Sequence, residues 1–288
     1  MSELLDIFHP SYVLRNVLYG GMITGFVLPF VGVLMYARRM VFLGVTLPQV
    51  SAMGIAAAAF WHYSFHETLS PHSDFLMAFM GSTIVTIISL LGLSTLERRG
   101  KGLVEGRIGV LYVFAGALTV LLLASDRIPE VGVIQLLRGQ IIAISDRDMW
   151  WLVLLYGMTL VAMWVFRKEL LLVAVDRDMA VSLGKRIWIW DLVLYGIVGI
   201  TISLGVLMVG PLLVFAFLLL PPMIALRLAG RFSSVPLLAG AVGACIALVG
   251  FVTSVLLDWP AGATNTLVSC VLLGLVMVGQ WVFHGWKA

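Results

Sequence analysis

Three of the five histidines, His62, His66 and His72, fall in one short stretch, with Glu67 and Asp74 beside them. His62 and His66 are four residues apart, so a helix running through them would put both imidazoles on one face. Two imidazoles so placed can hold a divalent cation such as zinc, which makes the three histidines candidate metal ligands. A solvated polar loop beside lipid headgroups is the plainer reading of the same residues. A second group, Thr46, Gln49, Ser51 and Met53, offers neutral oxygens and one thioether inside an apolar stretch. Gln49 there could hydrogen-bond across a helix seam or line a path through the protein. A third group lies in residues 173–184. Asp176 can cap a short helix, Met179, Ala180 and Leu183 share one face at helical spacing, and Gly184 can end the helix in a left-handed conformation. Charged residues flank that face, with Arg177 and Asp178 at its start and Lys185 and Arg186 after it. Such a helix suits a groove on another protein; a loop helix with no partner is the alternative.

No catalytic constellation accompanies these groups. Gly184, Lys185 and Arg186 lack the hydroxyl residue and the preceding glycine loop of a nucleotide-binding P-loop. The patterns H-E-x-x-H, G-x-S-x-G and C-x-x-C are missing from the sequence. Cys245 and Cys270 both sit in apolar runs and read as small buried hydrophobes.

The elements that must carry these residues follow from composition. Of 288 residues, 61% are hydrophobic and 11% are charged, against about 25% charged in a soluble domain. Mean hydropathy is +1.07. So little charge cannot cover a soluble surface, which excludes a soluble enzyme, a nucleic-acid binder and a disordered chain. The expectation is an all-α integral membrane protein, a polytopic bundle of about nine transmembrane helices, because lipid leaves backbone groups no partner outside the helix. The apolar runs place spans at 17–37, 41–61, 75–95, 108–124, 149–166, 188–206, 208–229, 235–257 and 263–284. Pro211, Pro221 and Pro222 predict broken or kinked helices in 188–229. No ionisable residue is expected at mid-span. Residues 1–16 read as an interfacial amphipathic segment with no cleavable signal pattern. The small residues Gly20, Gly21, Gly25 and Gly32, and Ala56 to Ala59, predict close helix approach. The whole of 1–288 reads as one transmembrane domain. Alternate loops hold 14 and 4 of the 18 Lys and Arg residues, so the richer set, with the 167–187 loop, is expected in the cytoplasm.

Four segments together resemble the permease subunits of the ABC-3 family, which import zinc, manganese or iron. Residues 166–184 resemble that family's ATPase-coupling segment, with Asp176, Ala180 and Gly184 at its spaced Asp, Ala and Gly. Residues 209–228, the 257–263 turn before the last span, and 105–109 at the start of a middle span are similar to three further family patterns. The second span of the family opens with a motif whose Asp and His are thought to bind the metal in transit. In this chain Gly44 and Gly54 match that motif, but the Asp position is Val45 and the His position is Gln49.

The resemblance implies a permease subunit of an ABC importer in the bacterial inner or plasma membrane. ATP and Mg would be bound by a separate cytosolic ABC ATPase docked on Asp176, Arg177, Asp178, Met179, Ala180, Leu183 and Gly184. It implies an extracytoplasmic metal-binding protein that delivers cargo, and a second permease copy, identical or not, completing the pore. This chain would bind no cofactor and no nucleic acid. Thr46, Gln49, Ser51 and Met53 would line the path. With Val45 and Gln49 at the ligand positions, three readings stay open: selection upstream, ligands from a second permease, or a different small solute or metal complex. A gradient-driven secondary transporter and a non-transporting scaffold are the readings from other classes.

Overall fold

The computed structural model describes residues 15–38, 40–65, 71–98, 104–125 and 146–284. The amphipathic segment expected before residue 15, and most of the loop expected at 125–148, lie outside the described residues. Among these residues the regular structure is helical: α1 (Arg15–Ala37), α2 (Val41–Phe65), α3 (Pro71–Arg98), α4 (Val104–Leu123), α5 (Asp146–Val165), α6 (Arg167–Val175), α7 (Arg177–Ser182), α8 (Ile187–Leu228), a 3-10 turn at Phe232–Ser234, α9 (Val235–Leu257) and α10 (Ala261–His284).

Seven of these helices are long and apolar enough to cross a membrane. A further crossing is α5, which passes the same test when joined to α6 across a 71° bend. The ninth comes from α8. Its 42 residues would extend about 63 Å as one rod, twice the hydrocarbon thickness. The break is at Gly210, with φ 80° and ψ 161°. Only glycine adopts that conformation cheaply, and Pro211 disfavours a helical residue before it. Beyond this point the chain reverses. A Cβ on Gly205 would lie 2.9 Å from Val214, although residues nine apart on a straight helix are separated by about 13.5 Å. Pro221 and Pro222, by contrast, sit inside continuous helix. The region is divided as expected, but the break falls at Gly210 and Pro211 and not between the expected spans at 206 and 208.

The middle of the bundle is α1 and both halves of α8. Residues 187–209 run antiparallel to α1 and 211–228 parallel to it: Leu28 lies against Gly205, Gly32 against Leu218 and Pro222. On one flank α9 crosses α1 so closely that Gly25 and Gly243 meet backbone to backbone. α10 closes that flank, with Asn265 against Gly250. On the other flank α2 packs on α3 and α4. There Ser51 and Ser82 share a hydrogen bond of 2.6 Å, and a Cβ on Gly54 would come within 2.7 Å of Gly81 O. Small residues thus allow the close approach expected of them, although nothing lies within 4 Å of a Cβ at Gly21.

One expectation is corrected. Cys245 and Cys270 are exposed, not buried. They sit on α9 and α10, whose outer faces meet no other helix, and an apolar run in a membrane protein faces lipid as readily as core.

Candidate translocation path and coupling element

Along the first half of α2 most residues are buried, but Phe42, Val45 and Gln49 are not. Their spacing puts them on one stripe. Phe42 is 59% exposed, and Val45 and Gln49 are half-buried. Among the described residues this strip of the first half of α2 is left uncovered, and it carries both positions where the resemblance expected ligands. Gln49 lies beside α4 at Gly116, where an added Cβ would be 3.5 Å from the amide nitrogen. α4 also exposes Val110, Val113 and Phe114, of which Val110 and Phe114 face a cavity shared with Ser89, Gly92 and Leu93 of α3.

The other expected path residues do not join this strip. Thr46 is buried, its hydroxyl donating to Phe42 O at 3.2 Å in its own helix. Ser51 is taken up by Ser82 of α3. Met53 is buried with Val50 and Ala115. Of the four, Gln49 is the one with an uncovered side chain. Sequence could not separate them, because it gives spacing but not which faces α3 and α4 cover.

The histidine group falls only partly within the described residues. His62 is in the last turn of α2, half-buried beside Tyr63 with ring centroids 6.4 Å apart. His66 lies outside the described residues, and His72 is in the first turn of α3 with a side chain that is not described. No group of three or more His, Cys, Asp or Glu residues that could hold a metal occurs among the described residues.

At the end of the bundle marked by Arg38 and Arg227, α5 bends into α6 and then α7. Asp176 is extended, at φ −140° and ψ 95°, and its carboxylate accepts from Met179 N–H at 2.9 Å. That is the N-cap expected of it. Gly184 has φ 71°, and Lys185 N–H donates back to Ala180 O at 3.0 Å, so the glycine ends the helix as expected. The short helix expected after Asp176 is α7, and α6 leads into it, the two meeting at Asp176. The apolar face differs from expectation. Ala180 is fully buried, whereas Met179, Leu183, Val181 and Val175 are each more than half exposed. Ala180 therefore seats α7 on the protein, and Met179 and Leu183 face outward. Arg177 and Asp178 lie in the first turn of α7, and their side chains are not described.

The whole of this chain from residue 11 to residue 280 matches the model of one family, described as the ABC 3 transport family. The chain belongs to that family. It is a multi-pass membrane permease. It is 26% identical over 278 residues to the manganese transport system membrane protein MntC of Halalkalibacterium halodurans, covering 96% of this chain and 91% of that one. It is 24% identical to a probable iron transport system membrane protein of Haemophilus influenzae, covering 94% and 91%. Among solved structures it is similar to PsaBC from Streptococcus pneumoniae in complex with Fab, with a TM-score of 0.81, 21% identity and coverage of 96% and 94%.

Sequence alone did not show what holds the α6–α7 segment to the rest of the bundle. Phe166 and Trp190 meet edge to face with centroids 5.5 Å apart. Lys185 Nζ stands 5.8 Å from the Trp190 ring and 3.5 Å from Glu169. One residue on from Trp190, Asp191 is paired with Arg38, just after α1, both side chains almost wholly buried. The signal for this pair was present as the lone carboxylate at the start of a long apolar run.

Proposed function

We propose that this permease is the membrane half of an ATP-driven importer that moves a first-row divalent metal ion into the cytoplasm. The observation that carries the reading is the capped helix α7. It presents Met179 and Leu183 outward from a base clipped to α8, in a chain of the ABC 3 transport family. A partly exposed apolar face on a short rigid helix is what a groove in a soluble partner recognises. ATP and Mg belong to that partner, a cytosolic ATPase. The names of the manganese and iron relatives support metal as the cargo.

In this mechanism closure of the ATPase pair pushes on α7, and packed helices with two discrete arrangements turn the push into alternating access. The uncovered strip of Phe42, Val45 and Gln49 is the wall this chain gives to the path. A second permease copy completes the pore, and an extracytoplasmic binding protein delivers the ion. Here the wall offers an amide and no carboxylate, so Gln49 guides an ion without holding it, and selection rests on the binding protein or on ligands from the second copy.

The test is uptake of Mn²⁺ by liposomes holding the permease with its ATPase and binding protein. Accumulation that needs ATP and survives collapse of the proton and sodium gradients is expected. Accumulation driven by a gradient without ATP would replace this reading with a secondary transporter.

A further inference from the structure

The pair formed by Arg38 and Asp191 lies where four helices meet. Arg38 directly follows α1, and Asp191 is in the second turn of α8. Their side chains are 6% and 3% exposed. A buried ion pair must overcome the loss of water from both charges, so it is poor evidence of stability alone, and an ionisable group inside a spanning helix is by default a candidate for function.

Chain neighbours of the pair connect it to the α6–α7 element and to α2. On one side, Asp191 follows Trp190, which is held by Phe166 and Lys185 at the base of the α6–α7 element. On the other, Arg38 is two residues from the start of the chain into α2. That turn is closed by Met40 N–H donating to Met35 O at 3.0 Å and by Leu43 N–H donating to Met40 O at 3.1 Å. Phe42, Val45 and Gln49 follow at once.

The surroundings allow the pair to move. Arg38 Cζ stands over the Tyr195 ring, 5.7 Å from its centroid. Arg38 Nη1 is buried with no hydrogen-bond partner among the described residues. Beside the pair is an apolar void of about 20 Å³ lined by Arg38, Tyr195, Leu43, Leu47, Leu90 and Val198, which joins α1, α2, α3 and α8. An arginine with a spare donor next to a void can shift its fork relative to the carboxylate without breaking the pair.

We propose that Arg38 and Asp191 are positioning residues that carry movement of the α6–α7 element from α8 into α2, and so couple ATP hydrolysis to opening of the path. The proposal rests on the reading of α7 as the ATPase dock. Neither residue touches the cargo. The pair works as a joint: the first turns of α8 follow the coupling element, the carboxylate draws Arg38 with them, and the closed turn at Met40 passes the shift to α2.

The experiment uses the permease with its ATPase and binding protein in liposomes, with Mn²⁺ as the probe. It measures Mn²⁺ moved and ATP hydrolysed in the same sample. The double variant R38L/D191L removes both charges at once and leaves no orphan in the bundle. Expected is assembly with the ATPase, hydrolysis within about twofold of the unsubstituted complex, and roughly a tenfold drop in Mn²⁺ per ATP, as loss of a coupling of ordinary size would give. An unchanged ratio overturns the proposal. A cross-link from Met179→Cys to the ATPase, made with the pair intact, separates the two readings. Its absence removes the dock and this proposal together; its presence with an unchanged ratio removes this proposal alone. A second measurement leaves the pair untouched. With spin labels at Met179 and Phe42, each referred to Trp259 at the α9–α10 turn, ATP with vanadate should shift both; a shift at Met179 alone overturns the proposal.

Discussion

The close approach of α2 and α3 can be tested by making the same substitution twice on one helix. Gly81 and Gly92 are both on α3. A Cβ on Gly81 would meet the Cβ of Ala58 at 2.6 Å and Gly54 O at 2.9 Å, whereas a Cβ on Gly92 meets nothing within 4 Å. Both Gly→Ala changes gain the same helix propensity, about 1 kcal/mol, so that gain cancels in the comparison. Ordinary carbon contacts are about 3.5–4.0 Å, so Gly81→Ala must push the helices apart by about 1 Å. Overpacking of this kind costs about 1–3 kcal/mol. The hydrogen bond from Ser51 to Ser82, at 2.6 Å, would open past bonding range, which adds about 0.6 kcal/mol for a bond inside a membrane. Gly81→Ala should therefore be about 2–4 kcal/mol less stable than Gly92→Ala. The assay is thermal unfolding of both variants in the same detergent. At roughly 2–4 °C per kcal/mol, the midpoints should differ by at least about 4 °C. Equal midpoints would refute the close packing, and with it the account of how α2 is held so that Val45 and Gln49 stay uncovered.

Three further outcomes are expected. Asp176→Ala should remove the cap on Met179 N–H, costing about 1 kcal/mol, and weaken ATPase co-purification about fivefold, whereas Asp176→Ser should keep most of it. Gly210→Ala should cost about 1–3 kcal/mol, because no L side chain sits easily at φ 80° and ψ 161°; the midpoint of thermal unfolding measures this. The double variant V45D/Q49H places a carboxylate and an imidazole on adjoining turns of the uncovered strip. It should retain metal through purification, measured by elemental analysis, where the unsubstituted permease retains none.

Much of the fold was legible because each span is a long apolar run and lipid permits only helices there. The nine expected segments lie on seven membrane-capable helices and one bent pair, two of them on the arms of α8, and Asp176 and Gly184 bracket α7 because capping is local chemistry. What depends on packing was not legible. Gln49, Ser51, Thr46 and Met53 look alike in sequence, and only the positions of α3 and α4 decide that Gln49 alone is uncovered. Ala180 could not be told from Met179 by spacing, since which side of a six-residue helix rests on the protein is set by the bend at Phe166. The Arg38 and Asp191 pair was hidden for a similar reason. Each residue reads alone as a charge near a span end, and their meeting depends on α1 and the first half of α8 running antiparallel.

The central claim is that α7 is the dock for a separate ATPase that drives this permease. The most direct measurement is purification from the native membrane in a mild detergent, with mass spectrometry of the proteins that accompany it. The account predicts an ABC ATPase in stoichiometric amount, lost when Met179 and Leu183 are replaced by Asp. An intact, folded permease that brings no ATPase with it, even after cross-linking at residues 176–184, would contradict it.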